Sequence, residues 1–322
     1  MSEAQTQVEI LLATYNGEKY IEEQLNSILN QTYNNWFLLI RDDGSKDKTV
    51  EIIKKYITIH SDKIKLIDDI EKNLGPSGNF SKLLNHAKAK YVMFCDQDDV
   101  WITNKIEITL KKMQELEKIY SDDIPLLVHT DLEVVDGELN TIAPSMFVFQ
   151  NLNSNYSDVN QLLVQSNVTG CTVMINKKLK EMAEPIPMGI IMHDWWLALV
   201  AAAFGRIGFI NKATIKYRQH SNNDTGAKGY AFKYFFNRAS NIKKTYAIVK
   251  RNLRQAEIFY HTFKDVFDKE TRGIVLNYSK TLELNPFKRI SFLNQNNLRK
   301  QGKIRNAGFW FVIFTTINKE KV

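Results

Sequence analysis

Three carboxylates fall within four residues in the run Asp96-Gln97-Asp98-Asp99, directly after the apolar stretch Tyr91-Val92-Met93-Phe94. Like charges packed this closely repel unless a positive charge sits among them. A hard divalent cation, bound through carboxylate oxygens and shared with a substrate diphosphate, relieves that repulsion. The expectation is a strand end that holds a metal, which in turn holds a phosphate. The same residues also suit a solvated acidic turn that caps the next helix, because two aspartates in close succession are a short and common pattern.

The elements that must position this run follow from apolar periodicity. Apolar stretches at 8–13, 36–40, 64–67 and 91–94 read as buried strands, and 18–29, 48–60 and 80–89 read as helices, with a loop at 73–78. Strand–helix alternation of this kind gives an α/β fold with a parallel, doubly wound sheet. Ligands in such sheets bind at the C-terminal ends of the strands. Three polar motifs fall at those ends: Thr14-Tyr15-Asn16-Gly17, Arg41-Asp42-Asp43-Gly44-Ser45 and the acidic run itself. Further on, 126–132, 169–175 and 209–218 read as strands, 151–165 as polar and then helical, and 194–204 as an apolar helix. Beyond Gly229 the composition shifts to long basic helices, with breaks near 265–273 and at Pro286. The division expected is a catalytic domain over 1–226 and a mainly helical, basic region over 227–322.

With 322 residues, 44% of them hydrophobic, the chain is large enough to bury a sizeable core and is globular in composition. Its two cysteines, Cys95 and Cys171, form no metal-ligand spacing and no disulfide scaffold, which fits a reducing cytoplasm. The polar N-terminus lacks a signal-peptide core, and the longest apolar run, 308–317, is too short to span a bilayer. The net charge of +7 is unevenly distributed. Residues 228–322 carry 20 Lys and Arg against 6 Asp and Glu, or +14, which leaves −7 for the rest. A basic tail interleaved with Phe, Tyr, Trp, Ile and Leu suits the surface of an anionic membrane. A solvated helical bundle with surface lysines accounts for the same composition. A nucleic-acid partner is not expected, since no recognition motif is present.

Five motifs in order carry a resemblance. They are Ala13-Thr14-Tyr15-Asn16-Gly17, Arg41-Asp42-Asp43-Gly44-Ser45-Lys46-Asp47, Asp96-Gln97-Asp98-Asp99-Val100-Trp101, His193-Asp194-Trp195-Trp196 and Tyr217-Arg218-Gln219-His220. Over residues 8–225 the chain resembles the family 2 glycosyltransferases, which have the GT-A fold. It looks most like the bacterial, streptococcal-type rhamnosyltransferases of cell-wall polysaccharide synthesis.

The resemblance implies a metal-dependent inverting transferase. The donor would be dTDP-β-L-rhamnose, or alternatively a UDP-hexose. The acceptor would be a lipid-linked saccharide at the inner face of the plasma membrane. It implies Mg²⁺ or Mn²⁺ at Asp98, Asp96 and His220. Donor contacts are implied from Thr14, Tyr15, Asn16, Asp42, Asp43, Asp96, Asp98, Gly170 and Arg218. Asp42 can accept the imide N–H of thymine and uracil alike, although Asp42 to Ser45 also reads as a plain turn and cap. Asp194 sits where the family has its catalytic base. Most members carry Glu before that Asp, so His193 departs from the pattern. Asp131, Trp195 and Trp196 are candidates for the acceptor side, with core packing as the alternative for at least one tryptophan. A binding module without catalysis would be expected to have lost Asp98, Asp194 or His220, and all three are present.

Overall fold

The computed structural model describes residues 8–220 and 242–316; part of the basic region expected over 227–322, and the loop after His220, lie outside the described residues. In chain order the first half forms β1 (Val8–Thr14), α1 (Ile21–Leu29), β2 (Trp36–Asp42), α2 (Thr49–Ile59), β3 (Ile64–Leu66), α3 (Gly75–His86) and β4 (Tyr91–Cys95). Then come β5 (Val100–Trp101), α4 (Lys105–Tyr120), β6 (Leu126–Val135), β7 (Thr141–Ala143), α5 (Met146–Phe149), α6 (Val159–Val164), β8 (Met174–Asn176) and α7 (Lys177–Ala183). The chain continues through α8 (His193–Phe204) and β9 (Arg206–Arg218) to α9 (Ile242–Phe263), α10 (Lys269–Ser279), α11 (Pro286–Gln295) and α12 (Lys303–Thr315).

β1 is apolar and buried along nearly its whole length, the pattern of a central strand covered on both faces. It pairs in parallel with β2 and β4, and β2 pairs in parallel with β3. The sheet runs β3-β2-β1-β4-β8-β6-β9-β5, with β7 on β6. The sequence pattern predicts a parallel sheet; the structure is mixed. β8 is antiparallel to both β4 and β6, and β9 is parallel to β6. Hence β6 and β9 point the same way as β1, while β5, β7 and β8 run against them. Strand direction depends on which neighbours a segment pairs with, which local apolar periodicity does not encode.

The period-2 alternation of the strands sends Ile10, Leu12, Leu38 and Ile40 to one face, where Ile21, Leu25, Ile53, Ile106 and Met113 cover them. Leu11, Leu39 and Phe94 face the other side, against Phe80, Leu83, Leu179 and Trp196. Helices therefore lie on both faces, as a doubly wound fold requires. α4 falls in a stretch where the sequence reading places no element. Its buried positions Ile106, Thr109, Leu110, Met113 and Leu116 have helical spacing, but they are interleaved with seven charged residues.

α3 starts at Gly75, inside the predicted loop. Asp43 accepts from the N–H groups of Leu74 (3.0 Å) and Gly75 (2.8 Å), and Pro76 sits in the first turn, where its missing N–H costs nothing. In the basic region, Asp268 caps α10 through Glu270 and Thr271, and Asn285 caps α11 through Lys288. Gly273, expected at a break, lies within α10.

The C-terminal helices share the second apolar layer. Trp196, wholly buried in α8, meets Phe259 edge-on at 5.5 Å and stacks on Phe263 at 5.8 Å. Its indole N–H donates to the Ala183 carbonyl at 3.1 Å. Trp196→Ala should cost about 3–5 kcal/mol, the usual loss for deleting a large buried aromatic. Urea unfolding checks this, and a loss under about 1 kcal/mol would mean that the helices do not depend on this contact.

Candidate functional site

Strand register assembles the site. Thr14 lies beside Asp42 across β1 and β2, and Leu12 lies beside Cys95 across β1 and β4, so three polar motifs emerge at one level. Thr14 Oγ1 donates to Asp42 Oδ2 at 2.9 Å. The N–H groups of Gly44 (3.0 Å) and Ser45 (2.8 Å) donate to Asp42 Oδ1, and Ser45 Oγ donates to Oδ2 at 2.5 Å. Gly44 has φ +98°, which admits glycine most readily. The expected nucleoside contact and this turn therefore draw on the same carboxylate lone pairs. Asn16 joins the two loops: its N–H donates to Ser45 Oγ, and its Oδ1 accepts from Lys46 N–H, both at 2.8 Å. Tyr15 leaves its ring exposed at the mouth.

Asp43 is buried, accepting from the N–H groups at the start of α3 and from Arg41. Arg41 is itself fully buried. It holds Asp69 with two bonds (2.6 and 2.9 Å), Asn79 at 3.0 Å and the Glu71 carbonyl at 2.5 Å. The guanidinium holds the Asp69 carboxyl below its ordinary range.

In the acidic loop each member has a different environment. Gln97 points back to β1, where its amide accepts from Tyr15 N–H (2.8 Å) and donates to the Tyr15 carbonyl (2.9 Å). Asp98 Oδ2 meets His220 Nε2 at 2.8 Å, and the His220 ring stacks on Tyr20 at 5.0 Å. Asp99 is wholly buried and accepts from Arg218 N–H at 3.1 Å. Burial, reinforced by Asp98 and Asp96, pushes its carboxyl well above the usual range. Beneath it, Lys105 Nζ has no hydrogen-bond partner among the described residues and sits over the Trp101 ring at 4.8 Å; burial lowers its ammonium to about 8.

Arg218 was expected to reach a phosphate. Its guanidinium instead donates to the carbonyls of Asp98 (2.9 Å) and Gly137 (2.6 Å) and to Glu23 Oε2 (2.7 Å), and it lies 4.4 Å over the Tyr20 ring. It is 1% exposed, so its guanidinium is enclosed by these partners.

The antiparallel direction of β8 delivers the next group. The residues entering β8 lie beside the end of β4, where Phe94 N–H meets the Val173 carbonyl at 3.4 Å. Gly170 N–H donates to Asp194 Oδ2 at 2.8 Å, and Trp195 N–H donates to Oδ1 at 2.6 Å. A Cβ on Gly170 would sit 3.0 Å from His193 Nε2 and 3.5 Å from Asp194 Cβ, so glycine permits the close approach. Asp194 lies in the first turn of α8 and keeps partial access to solvent. Burial raises its carboxyl to about 6 against the pull of its backbone hydrogen bonds. His193 packs between Phe80 (4.2 Å) and Phe94 (5.3 Å), and burial lowers it to about 3, so it is a neutral ring.

Two acceptor candidates are held inside the fold. Asp131 is buried and caps α5, accepting from Met146 N–H (3.1 Å), Phe147 N–H (3.3 Å) and Ser145 Oγ. Trp196 belongs to the core described above. Trp195 is half-buried, its indole N–H donating to the Leu162 carbonyl at 2.6 Å. Gln97, Tyr20 and Ser45 matter to the site geometry and were not singled out by residue-type reasoning, because neutral side chains carry no catalytic signature by themselves.

Asp96, Asp99 and Cys171 bring their ligand atoms within 4.8 Å of one another, a cluster that can coordinate a divalent metal. The donor chemistry favours a hard ion bound by oxygen and imidazole. Burial raises the Cys171 thiol well above its usual range, so the thiolate is disfavoured, and half-buried Asp96 supplies the cluster's more accessible oxygens.

Residues 9–181 match the family described as Glycosyl transferase family 2. A dTDP-rhamnosyl transferase of Shigella flexneri, RfbG, is 30% identical over 229 residues, covering 67% of this chain and 74% of its own. WfgD of Escherichia coli, a UDP-Glc:alpha-D-GlcNAc-diphosphoundecaprenol beta-1,3-glucosyltransferase, is 37% identical over 214 residues, 66% of this chain and 76% of its own. Among solved structures, the mannosyltransferase PcManGT of Pyrobaculum calidifontis, in complex with GDP-Man and Mn²⁺, superposes with a TM-score of 0.57 at 14% identity, covering 99% of this chain and 89% of its own. That last likeness is one of fold.

Gln97→Ala removes both bonds between the acidic loop and the β1 loop. Nucleoside diphosphate affinity should fall about tenfold, the equivalent of roughly one net hydrogen bond. Calorimetry with UDP and dTDP checks this, and unchanged affinity would show that the amide does not organise the site.

Proposed function

The chain belongs to glycosyl transferase family 2 and is a sugar-nucleotide-dependent glycosyltransferase; from that premise we propose that it moves L-rhamnose, with inversion, from dTDP-β-L-rhamnose to a lipid-linked saccharide. The supporting likeness for the donor is the dTDP-rhamnosyl transferase of Shigella flexneri. A UDP-hexose donor is the second reading, favoured by the higher identity to the Escherichia coli glucosyltransferase. In this proposal residues 1–226 form the catalytic unit. Residues 227–322 hold it at the cytoplasmic face of the membrane, where a diphosphate lipid acceptor resides.

The observation that carries the mechanism is the Asp194 carboxylate, fixed by Gly170 N–H and raised to about 6. A base with that pKa is ionised at neutral pH and still takes a proton readily. The acceptor hydroxyl attacks the anomeric carbon as its proton passes to Asp194, and the bond from that carbon to the diphosphate oxygen breaks. Thr14, Tyr15, Asn16 and Asp42 line the nucleoside side, and Gly170 lets the backbone approach the sugar. Asp96, Asp98 and His220 would hold Mg²⁺ or Mn²⁺, which when bound neutralises the departing diphosphate. Arg218, through its bond to the Asp98 carbonyl, positions that loop.

Asp194→Asn should lower the transfer rate by about 10²–10⁴-fold while leaving donor affinity nearly intact. In the unaltered protein kcat/KM should rise with pH through about 6, as Asp194 loses its proton, and this limb should vanish in the variant. Activity that survives the substitution would remove Asp194 from the mechanism. Calorimetric titration of dTDP-rhamnose and UDP-glucose, with and without Mn²⁺, decides between the donors. Tighter, metal-dependent binding of dTDP-rhamnose is the expected result, and preference for UDP-glucose would overturn the rhamnose assignment.

A further inference from the structure

The outward face of α12 is apolar where a solvent-facing helix would be polar. Ile304, Phe311 and Phe314 are 42%, 57% and 37% exposed, and Ala307 and Gly308 between them are exposed as well. These positions recur at three, four and seven residues, so they form one stripe. The opposite face of the same helix buries Phe309, Val312 and Ile313 in the core, so packing among the described residues does not account for the outer stripe. Phe287, at the start of α11 and 78% exposed, meets Phe314 edge-on at 5.4 Å and extends the patch onto a second helix.

Charge says what covers it. Residues 286–316 contain Lys288, Arg289, Arg299, Lys300, Lys303 and Arg305 and no Asp or Glu. Arg289 is internal: its guanidinium donates to the carbonyls of Leu282, Leu284, Ile313 and Thr316, and so ties α11 to the end of α12. Lys288 adjoins Phe287, and Lys303 adjoins Ile304; both are exposed. Aromatic side chains flanked by unopposed cations, on a helix lying flat on a folded body, match an interface between anionic headgroups and acyl chains. None of the described helices is long and apolar enough to cross a membrane.

We propose that Phe287, Ile304, Phe311 and Phe314 insert into an anionic lipid surface, with Lys288 and Lys303 at the headgroups. This deepens the reading of a membrane-bound acceptor and rests on it. The site fixes which way the catalytic unit faces the bilayer, whereas a diffuse basic tail would only concentrate it there.

The test is cosedimentation of the full chain with vesicles of phosphatidylcholine alone and of equal parts phosphatidylcholine and phosphatidylglycerol. The expected result is binding to the anionic vesicles only, lowered about tenfold or more by joint Phe287→Ser, Phe311→Ser and Phe314→Ser. These residues are exposed, so melting temperature and nucleoside diphosphate affinity should not change. That control separates loss of the docking face from failure of the transferase itself. Lys288→Gln with Lys303→Gln should weaken binding at low salt. Equal pelleting of the aromatic variant and the unaltered chain would overturn the proposal, as charge elsewhere would then suffice. So would an unaltered chain that ignores both vesicles. Self-association in solution, abolished by the serine variant, would assign the patch to a second copy of the chain and overturn it as well.

Discussion

Negative charge gathered at one edge of a sheet must be held against its own repulsion, and two buried arginines do much of the holding. Arg218 bridges the end of β9 to the Asp98 carbonyl, the Gly137 carbonyl and Glu23. Arg41 binds Asp69, Asp43 and Asn79 on the other side of the cleft. Neither pairs with a single partner. Each satisfies several acceptors with its planar fork, the arrangement in which a buried guanidinium is tolerated. The carboxylates left facing the opening, Asp96 and Asp98, are thereby kept in place without being neutralised from behind.

The same logic separates the aspartates by role. Burial and the two neighbouring carboxylates raise the Asp99 carboxyl well above its usual range. Asp194 stands apart at the first turn of α8, where backbone N–H groups hold its ionised form. One loop thus gathers the acidic side chains, and another presents a single carboxylate held by backbone N–H groups. The β8 reversal is what brings both to the same edge.

Much of this edge could be read from residues alone. Thr14, the Arg41-Asp42 pair and Asp96 each follow a run of apolar residues, and the change from apolar to polar marks where a strand leaves the core. The placement of Gly170 and Asp194 came through resemblance, since a glycine and an aspartate 24 positions apart give no local signal. The failures share a cause. Arg218, Asp43 and Asp131 have the side chains a ligand site would want, but each is enclosed by its own backbone and neighbours. Burial of a charged residue depends on tertiary closure, which composition does not report. Trp196 stayed open for the converse reason: an aromatic that could stack on a sugar is equally able to fill a core. The outer stripe of α12 was legible only as interleaved aromatic and basic residues. Which of them face outward became clear once the inner face was known.

The hydrogen bond from Gly170 to Asp194 makes that carboxylate sensitive to the loop that leads into β8. That N–H stabilises the ionised carboxylate; if the loop moves away, the group becomes harder to ionise and a stronger base. Proton affinity and loop position are therefore two readings of one contact. Any displacement of this loop would retune the carboxylate in the same motion, with no separate signal between them.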